Sequence, residues 1–175
     1  PGLKTIITPI KHLGLDRLIE SKGEPFYLEN GTKEEVRSLL LNNGIDVILC
    51  NPNKQEYKID KELLDGTSIS IINTCSTGLS HIDIDYCAKS DIEVFSLTKD
   101  YELINDLPST SELAFGLMID LLRNITISQN HVIAGGWDYT QFIGRQIKDL
   151  NIGIIGFGRL GKLMFKYCKA FDAKV

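Results

Sequence analysis

Short runs of β-branched and aromatic residues alternate with amphipathic stretches through the first hundred positions, the pattern of a parallel sheet covered by helices. Strands are predicted at residues 4–8, 25–28, 46–50, 69–73 and 93–97. The clearest helix signal opens at Thr32, where Thr-Lys-Glu-Glu supplies a capping box: Thr32 accepts from a backbone amide three residues on, and Glu35 reaches back. Val36, Leu39 and Leu40 then share one face, and Asn42, Asn43 and Gly44 stop the helix. Shorter helices are expected at 15–22, 60–64 and 84–90, where an apolar residue recurs every three or four positions.

The rhythm breaks between residues 97 and 107, where Lys99, Asp100, Glu102, Asn105 and Asp106 crowd together, and a domain boundary is placed there. Pro108 follows, and Ser109 with Glu112 reads as a second capping box. Residues 113–122 are almost all apolar, which predicts a helix buried on most of its circumference. Another helix is expected over 129–135, then a Gly-Gly-Trp-Asp turn and a polar stretch to Asp149.

Residues 151–175, NIGIIGFGRLGKLMFKYCKAFDAKV, read as a buried strand through Ile152, Ile154 and Ile155, a glycine-rich turn, an amphipathic helix and the start of a second strand. In this setting G-F-G-R-L-G has a definite chemistry. Gly156 permits the tight turn, Gly158 lets a diphosphate approach the backbone, and Gly161 lets the helix lie against the strand. The segment Gly156, Phe157, Gly158, Arg159, Leu160 and Gly161 is therefore the candidate dinucleotide cradle, with the amides of the last three at the positive end of a helix and Arg159 as added charge. The plainer alternative is a packing turn in an unrelated α/β domain. The acidic residue that holds the adenosine ribose is expected about 20 residues beyond Gly156, one position past Val175. A doubly wound nucleotide domain has about six strands, so a truncated domain is expected here.

Composition narrows the classes of partner. The 175 residues are 43% hydrophobic and 24% charged, with 19 Lys and Arg against 23 Asp and Glu, a net charge of −4. No basic block suits a phosphate backbone, so nucleic acid is not an expected partner. No apolar run approaches the roughly 20 residues of a membrane span, and the first residues do not read as a secretory signal. A soluble, cytoplasmic protein is expected, and the N-x-[ST] triplets at Asn30 and Asn124 are set aside as glycosylation sites. Cys50, Cys75, Cys87 and Cys168 form no Cys-x-x-Cys pair and no metal-ligand spacing with His12, His81 and His131. Reduced thiols and no metal follow. Cys75 and Cys87 are read as buried apolar residues, not nucleophiles. His81, which follows the Ser76–Gly78 loop, is read as a helix-start residue, with a place close to a ligand cleft as the alternative, and His12 and His131 as surface residues.

INTCSTGLSHIDIDYC, EVFSL, PSTSELAFGLMIDLLRN, the Gly-Gly-Trp-Asp turn and DLNIGIIGFGRLGKLM occur in an order that resembles the D-isomer-specific 2-hydroxyacid dehydrogenases, which include phosphoglycerate dehydrogenase. The resemblance covers nearly the whole chain. It implies an α/β protein: a flavodoxin-like parallel-sheet substrate domain over 1–103, followed over 104–175 by the start of a Rossmann doubly wound domain. It further implies that Ser76, Thr77 and Gly78 present backbone amides to a substrate carboxylate, and that residues 51–53 face the same ligand. Many relatives carry a basic or hydroxyl residue in that second loop, where this chain has Cys-Asn-Pro-Asn. The family's catalytic Arg, His and Glu match no position here and are expected beyond Val175, so the chain alone is expected to be inactive. The implied activity of the full-length protein is hydride transfer between NAD, with NADP left open, and C2 of a small 2-hydroxy or 2-keto acid. The implied assembly is a homodimer through the apolar helix and the Trp137 segment. A non-catalytic module that binds or senses a dinucleotide is the alternative.

Overall fold

In the computed structural model, which describes residues 3–7, 14–28, 30–51 and 57–175, five parallel strands form one sheet. They are β1 (Leu3–Ile7), β2 (Gly23–Tyr27), β3 (Val47–Cys50), β4 (Ile71–Thr74) and β5 (Glu93–Ser96), in the order β2-β1-β3-β4-β5. That is the flavodoxin-like order of an open α/β sheet. Each of the five strands predicted in the first hundred residues is present, shifted by no more than a few residues. The helices between them are α1 (Asp16–Glu20), α2 (Lys33–Asn43), α3 (Lys61–Leu64) and α4 (Ile84–Lys89).

Local chemistry sets the ends of these helices. The Glu35 amide donates to Thr32 Oγ1 at 3.2 Å, and the Thr32 amide donates to the Glu35 carboxylate at 2.8 Å, so the capping box is complete. Gly44 ends α2 in the left-handed region at φ +57°, where a side chain would be strained. Asp60 and Asp83 cap α3 and α4 in the same way as Thr32 caps α2, each accepting from an amide three residues on. The core of this unit joins Val36 and Leu40 of α2 to Ile48 and Cys50 of β3, Ile72 of β4, Leu63 and Leu64 of α3, and Cys87 of α4. Alternate positions of β3 and β4 are fully buried, which is how a period of two meets a covering layer.

The chain divides into two compact units, Pro1–Tyr101 and Glu102–Val175. After α5 (Tyr101–Asn105), the second unit holds α6 (Ser109–Arg123), α7 (Ile125–Ile133) and α8 (Arg159–Ala170). α6 packs on α8 through Phe115, whose ring lies 5.6 Å from Tyr167 and 5.1 Å from Phe171, over a small core of Ile147, Cys168 and Ala173.

Several expectations fail in this second unit, each for a physical reason. Ser109 and Glu112 form no capping box: Pro108 is already in the helical region, and its carbonyl accepts from the Glu112 amide at 3.0 Å. The ring of Pro108 presets the helical φ, so the first turn closes on that residue and Ser109 lies inside the helix. α6 is not buried on most of its circumference, because Leu113, Leu117 and Leu121 are 65%, 60% and 80% exposed. α7 begins four residues before its expected start, because Asp120 accepts from both the amide (2.7 Å) and the hydroxyl (2.8 Å) of Thr126 and starts the turn. Residues 152–155 form no strand ladder. A single parallel bridge joins Asn151 to Lys174, Ile152 and Ile154 are only half-buried, and Ile155 is fully exposed. A strand is held by lateral hydrogen bonds, and among the described residues only the backbone near Lys174 supplies them.

Candidate functional site

Two groups of candidate residues lie in different units and are described separately. In the first unit, Cys50, Thr74 and Ser96 are register partners at the carboxyl ends of β3, β4 and β5. Open α/β sheets bind ligands at that end. The chain leaves β4 there through Cys75, Ser76, Thr77 and Gly78, and Thr77 and Gly78 are exposed. Among the described residues no group accepts from the amides of Ser76, Thr77 or Gly78. The loop is tied down at its edges: the Cys75 amide donates to the Cys50 carbonyl at 3.0 Å, the Leu97 amide donates to the Ser76 carbonyl at 3.1 Å, Ser76 Oγ donates to the Gly78 carbonyl at 2.8 Å, and Thr74 Oγ1 lies 2.9 Å from Ser76 Oγ. Three consecutive free amides suit an anion, since a carboxylate is acceptor-only.

His81 supports this loop, which corrects its reading as a helix-start residue. α4 starts only at Ile84 with Asp83 as its cap, and His81 lies in the turn just before Ile82, which bridges to Ile59; the His81 carbonyl accepts from the Ile59 amide at 2.8 Å. Its Nε2 lies 2.9 Å from Thr74 Oγ1 and 3.9 Å from Cys50 Sγ. Burial lowers the imidazole pKa, and burial pushes the Cys50 thiol up to about 12, so a neutral ring faces a neutral thiol. The missed residue here is Thr74, polar yet only 1% exposed, at an inward position of β4 whose other inward residue is Ile72. That position was its only signal. The Cys75 and Cys87 thiols are both pushed up by burial. Asn51 is buried, whereas Asn53 of the second loop, like His12, lies outside the described residues.

In the second unit, the glycine-rich turn has the backbone its spacing demands. Gly156 has φ +90°, closed to ordinary side chains. A methyl group at Gly161 would overlap the Gly156 carbonyl oxygen, so this glycine is where α8 crosses the turn at close range. Gly158 faces open space, with no heavy atom within 4 Å of where its Cβ would lie. The amides of Arg159, Leu160 and Gly161 open α8 and have no acceptor among the described residues; the first internal bond runs from the Lys162 amide to the Gly158 carbonyl at 3.0 Å. The Arg159 guanidinium is occupied: Nη1 donates to the Leu107 carbonyl at 2.7 Å, which ties the start of α8 to the approach to α6. Phe157 is exposed and meets Phe165 edge-on at 5.7 Å.

His131 is half-buried, not a free surface side chain: its ring meets Phe142 at a tilt of 58° with centroids 5.2 Å apart, and it accepts from the Asp138 amide at 3.3 Å. Asp138 in turn collects donors from Gln141 and Thr140, which hold its carboxyl down at about 2. Together these contacts fold the Gly-Gly-Trp-Asp segment onto α7.

Residues 115–175 match the family model described as D-isomer specific 2-hydroxyacid dehydrogenase, NAD binding domain. Over 126 residues, 67% of this chain and 37% of the relative, the sequence is 33% identical to a glyoxylate reductase of Thermococcus litoralis. Over 173 residues, 99% of this chain and 31% of the relative, it is 25% identical to a D-3-phosphoglycerate dehydrogenase of Methanocaldococcus jannaschii. The chain belongs to the D-isomer-specific 2-hydroxyacid dehydrogenase family. The solved structure of an NAD-dependent formate dehydrogenase from Staphylococcus aureus in complex with NAD shares the fold, with a TM-score of 0.82 at 23% identity over 98% of this chain and 54% of that one. The chain thus spans about a third of these two curated relatives and about half of that solved chain. Among the described residues, no helix is long and apolar enough to cross a membrane, and no group of His, Cys, Asp and Glu could hold a metal ion.

Proposed function

We propose that the protein carrying this chain is an NAD-dependent oxidoreductase acting on the CH–OH group of a small 2-hydroxy acid, or in reverse on the 2-keto acid. The observation that supports this best is the division of labour among the three glycines: one in a left-handed turn, one against a carbonyl, and one facing open space with three free helix amides beyond it. The residues fit a dinucleotide, since a side chain at Gly158 would occupy that open space. In this reading residues 104–175 begin the nucleotide domain and residues 1–103 form the substrate domain. The cofactor supplies the hydride chemistry when bound. The chain's own part is positional: Gly156 to Gly161 hold the diphosphate, and the Ser76, Thr77 and Gly78 amides orient the acid through its carboxylate. Arg159 contributes by fixing the start of α8, with its charge directed at the Leu107 carbonyl. Cytoplasmic residence goes with three buried, unpaired thiols, Cys50, Cys87 and Cys168.

Turnover tests the reading. The complete polypeptide is expected to oxidise NADH with at least one of glyoxylate, hydroxypyruvate or pyruvate, whereas a polypeptide of these 175 residues alone is expected to show none. Binding of NADH without turnover by the complete polypeptide overturns the enzyme in favour of a dinucleotide sensor, and turnover by the 175 residues overturns the placement of the proton-exchanging groups outside them.

We further propose a homodimer through α6 and the Trp137 segment. Leu113, Leu117 and Leu121 recur every fourth residue and form an exposed apolar stripe, and Trp137 is exposed as well. Sedimentation equilibrium should give a dimer, and Leu117→Glu should shift it to monomer at micromolar concentration. A parent that sediments as a monomer refutes the assembly.

A further inference from the structure

We infer that His81 is a positioning residue that holds the Ser76–Gly78 loop in its anion-ready form through a one-way relay of hydrogen bonds; the inference rests on the carboxylate reading of that loop. The direction of the relay follows from counting protons. A hydroxyl has a single proton to give. Ser76 Oγ gives its proton to the Gly78 carbonyl at 2.8 Å, because a carbonyl can only accept. Ser76 Oγ therefore accepts from Thr74, whose Oγ1 lies 2.9 Å away. That uses the Thr74 proton, so Thr74 Oγ1 must accept in turn from His81, and Nε2, at 2.9 Å, must carry the hydrogen. The ring is thereby set in its Nε2–H tautomer. The other nitrogen agrees: Nδ1 is buried and has no partner among the described residues, tolerable for a bare lone pair and costly for an N–H.

The relay begins at a fixed point and ends at a movable one. His81 is held by its carbonyl contact to Ile59, and Thr74 is buried at the end of β4, whereas Gly78 lies on the exposed loop. Pinning the Gly78 carbonyl through Ser76 keeps the only serine hydroxyl of the loop and that carbonyl occupied with each other. The three amides are left with no acceptor among the described residues to compete with a ligand. Without the Nε2–H donor, Thr74 Oγ1 has no proton to accept, its hydroxyl is free to turn, and Ser76 loses its fixed partner. His81 itself need not touch the substrate.

The experiment uses the complete polypeptide with His81→Phe, which keeps a ring and removes the donor, and His81→Gln, whose amide nitrogen can stand near Nε2. Thr74→Val, similar in shape to threonine, breaks the relay at its centre should the Phe variant fail to fold. Steady-state kinetics with NADH against glyoxylate, hydroxypyruvate and pyruvate should show His81→Phe and Thr74→Val raising KM for the 2-keto acid about tenfold, with KM for NADH within about twofold of the parent. His81→Gln should return the acid KM to within about threefold. In selectively 15N-histidine-labelled protein, His81 should carry its proton on Nε2. An unchanged acid KM in His81→Phe, a Gln variant no better than the Phe variant, or a proton on Nδ1 each overturns the positioning role. A parent that reduces none of the three acids overturns the carboxylate reading and the positioning role with it. A parent that reduces an acid, with a His81→Phe variant that does so equally well, overturns the positioning role alone.

Discussion

Gly161→Val is expected to lose NADH binding by more than about tenfold and to lower stability by about 1–3 kcal/mol, because added bulk in a packed site forces backbone movement. Its Cβ would overlap the Gly156 carbonyl oxygen, and neither partner is a flexible side-chain end that can swing away. The turn must open, and the amides of Arg159, Leu160 and Gly161 leave the positions from which they face a diphosphate. Gly158→Ala is the matched control. Its Cβ meets nothing within 4 Å, so the melting temperature should hold while binding falls, the methyl group standing where the ligand approaches. Calorimetric titration beside thermal unfolding reads both. A Gly158→Ala protein that binds NADH as well as the parent removes the diphosphate from that position, and a Gly161→Val protein of parental stability removes the close crossing.

The second large effect is in the sheet unit. Leu40→Ala should cost about 2–5 kcal/mol, the range for leucines whose removal leaves a cavity that cannot collapse. Leu40 is 0% exposed and lies in the core formed with Ile48, Ile72 and Leu63. Its neighbour Leu41 is 47% exposed, and Leu41→Ala should change stability by no more than about 0.5 kcal/mol. Urea unfolding followed by circular dichroism separates the two. Since domains are stable by only about 5–15 kcal/mol, the first substitution removes a large share of the whole. Equal midpoints for the two variants would contradict the burial pattern of α2.

What was legible from the sequence was what short windows encode. The capping box of Thr32 and Glu35 and the left-handed stop at Gly44 depend on atoms within four residues of one another, and the structure has them as expected. The five strands were visible because each is a local run of β-branched and apolar residues. The order of the glycines in G-F-G-R-L-G likewise announced the left-handed turn at Gly156 and the close contact at Gly161, since both partners lie inside one turn and one helix start.

Residues far apart in sequence obeyed only the tertiary structure. Which face of α6 is covered depends on where Tyr167 and Phe171 lie, some fifty residues on, so an apolar run could not reveal that Leu113, Leu117 and Leu121 stay open. Residues 152–155 carry a strand's composition, yet a strand exists only when neighbours satisfy its amides and carbonyls, and composition does not count neighbours. The role of His81 was hidden for the same reason. Cys50 and Thr74 come beside it because adjacent parallel strands end in register, a distance that sheet pairing sets and spacing along the chain does not.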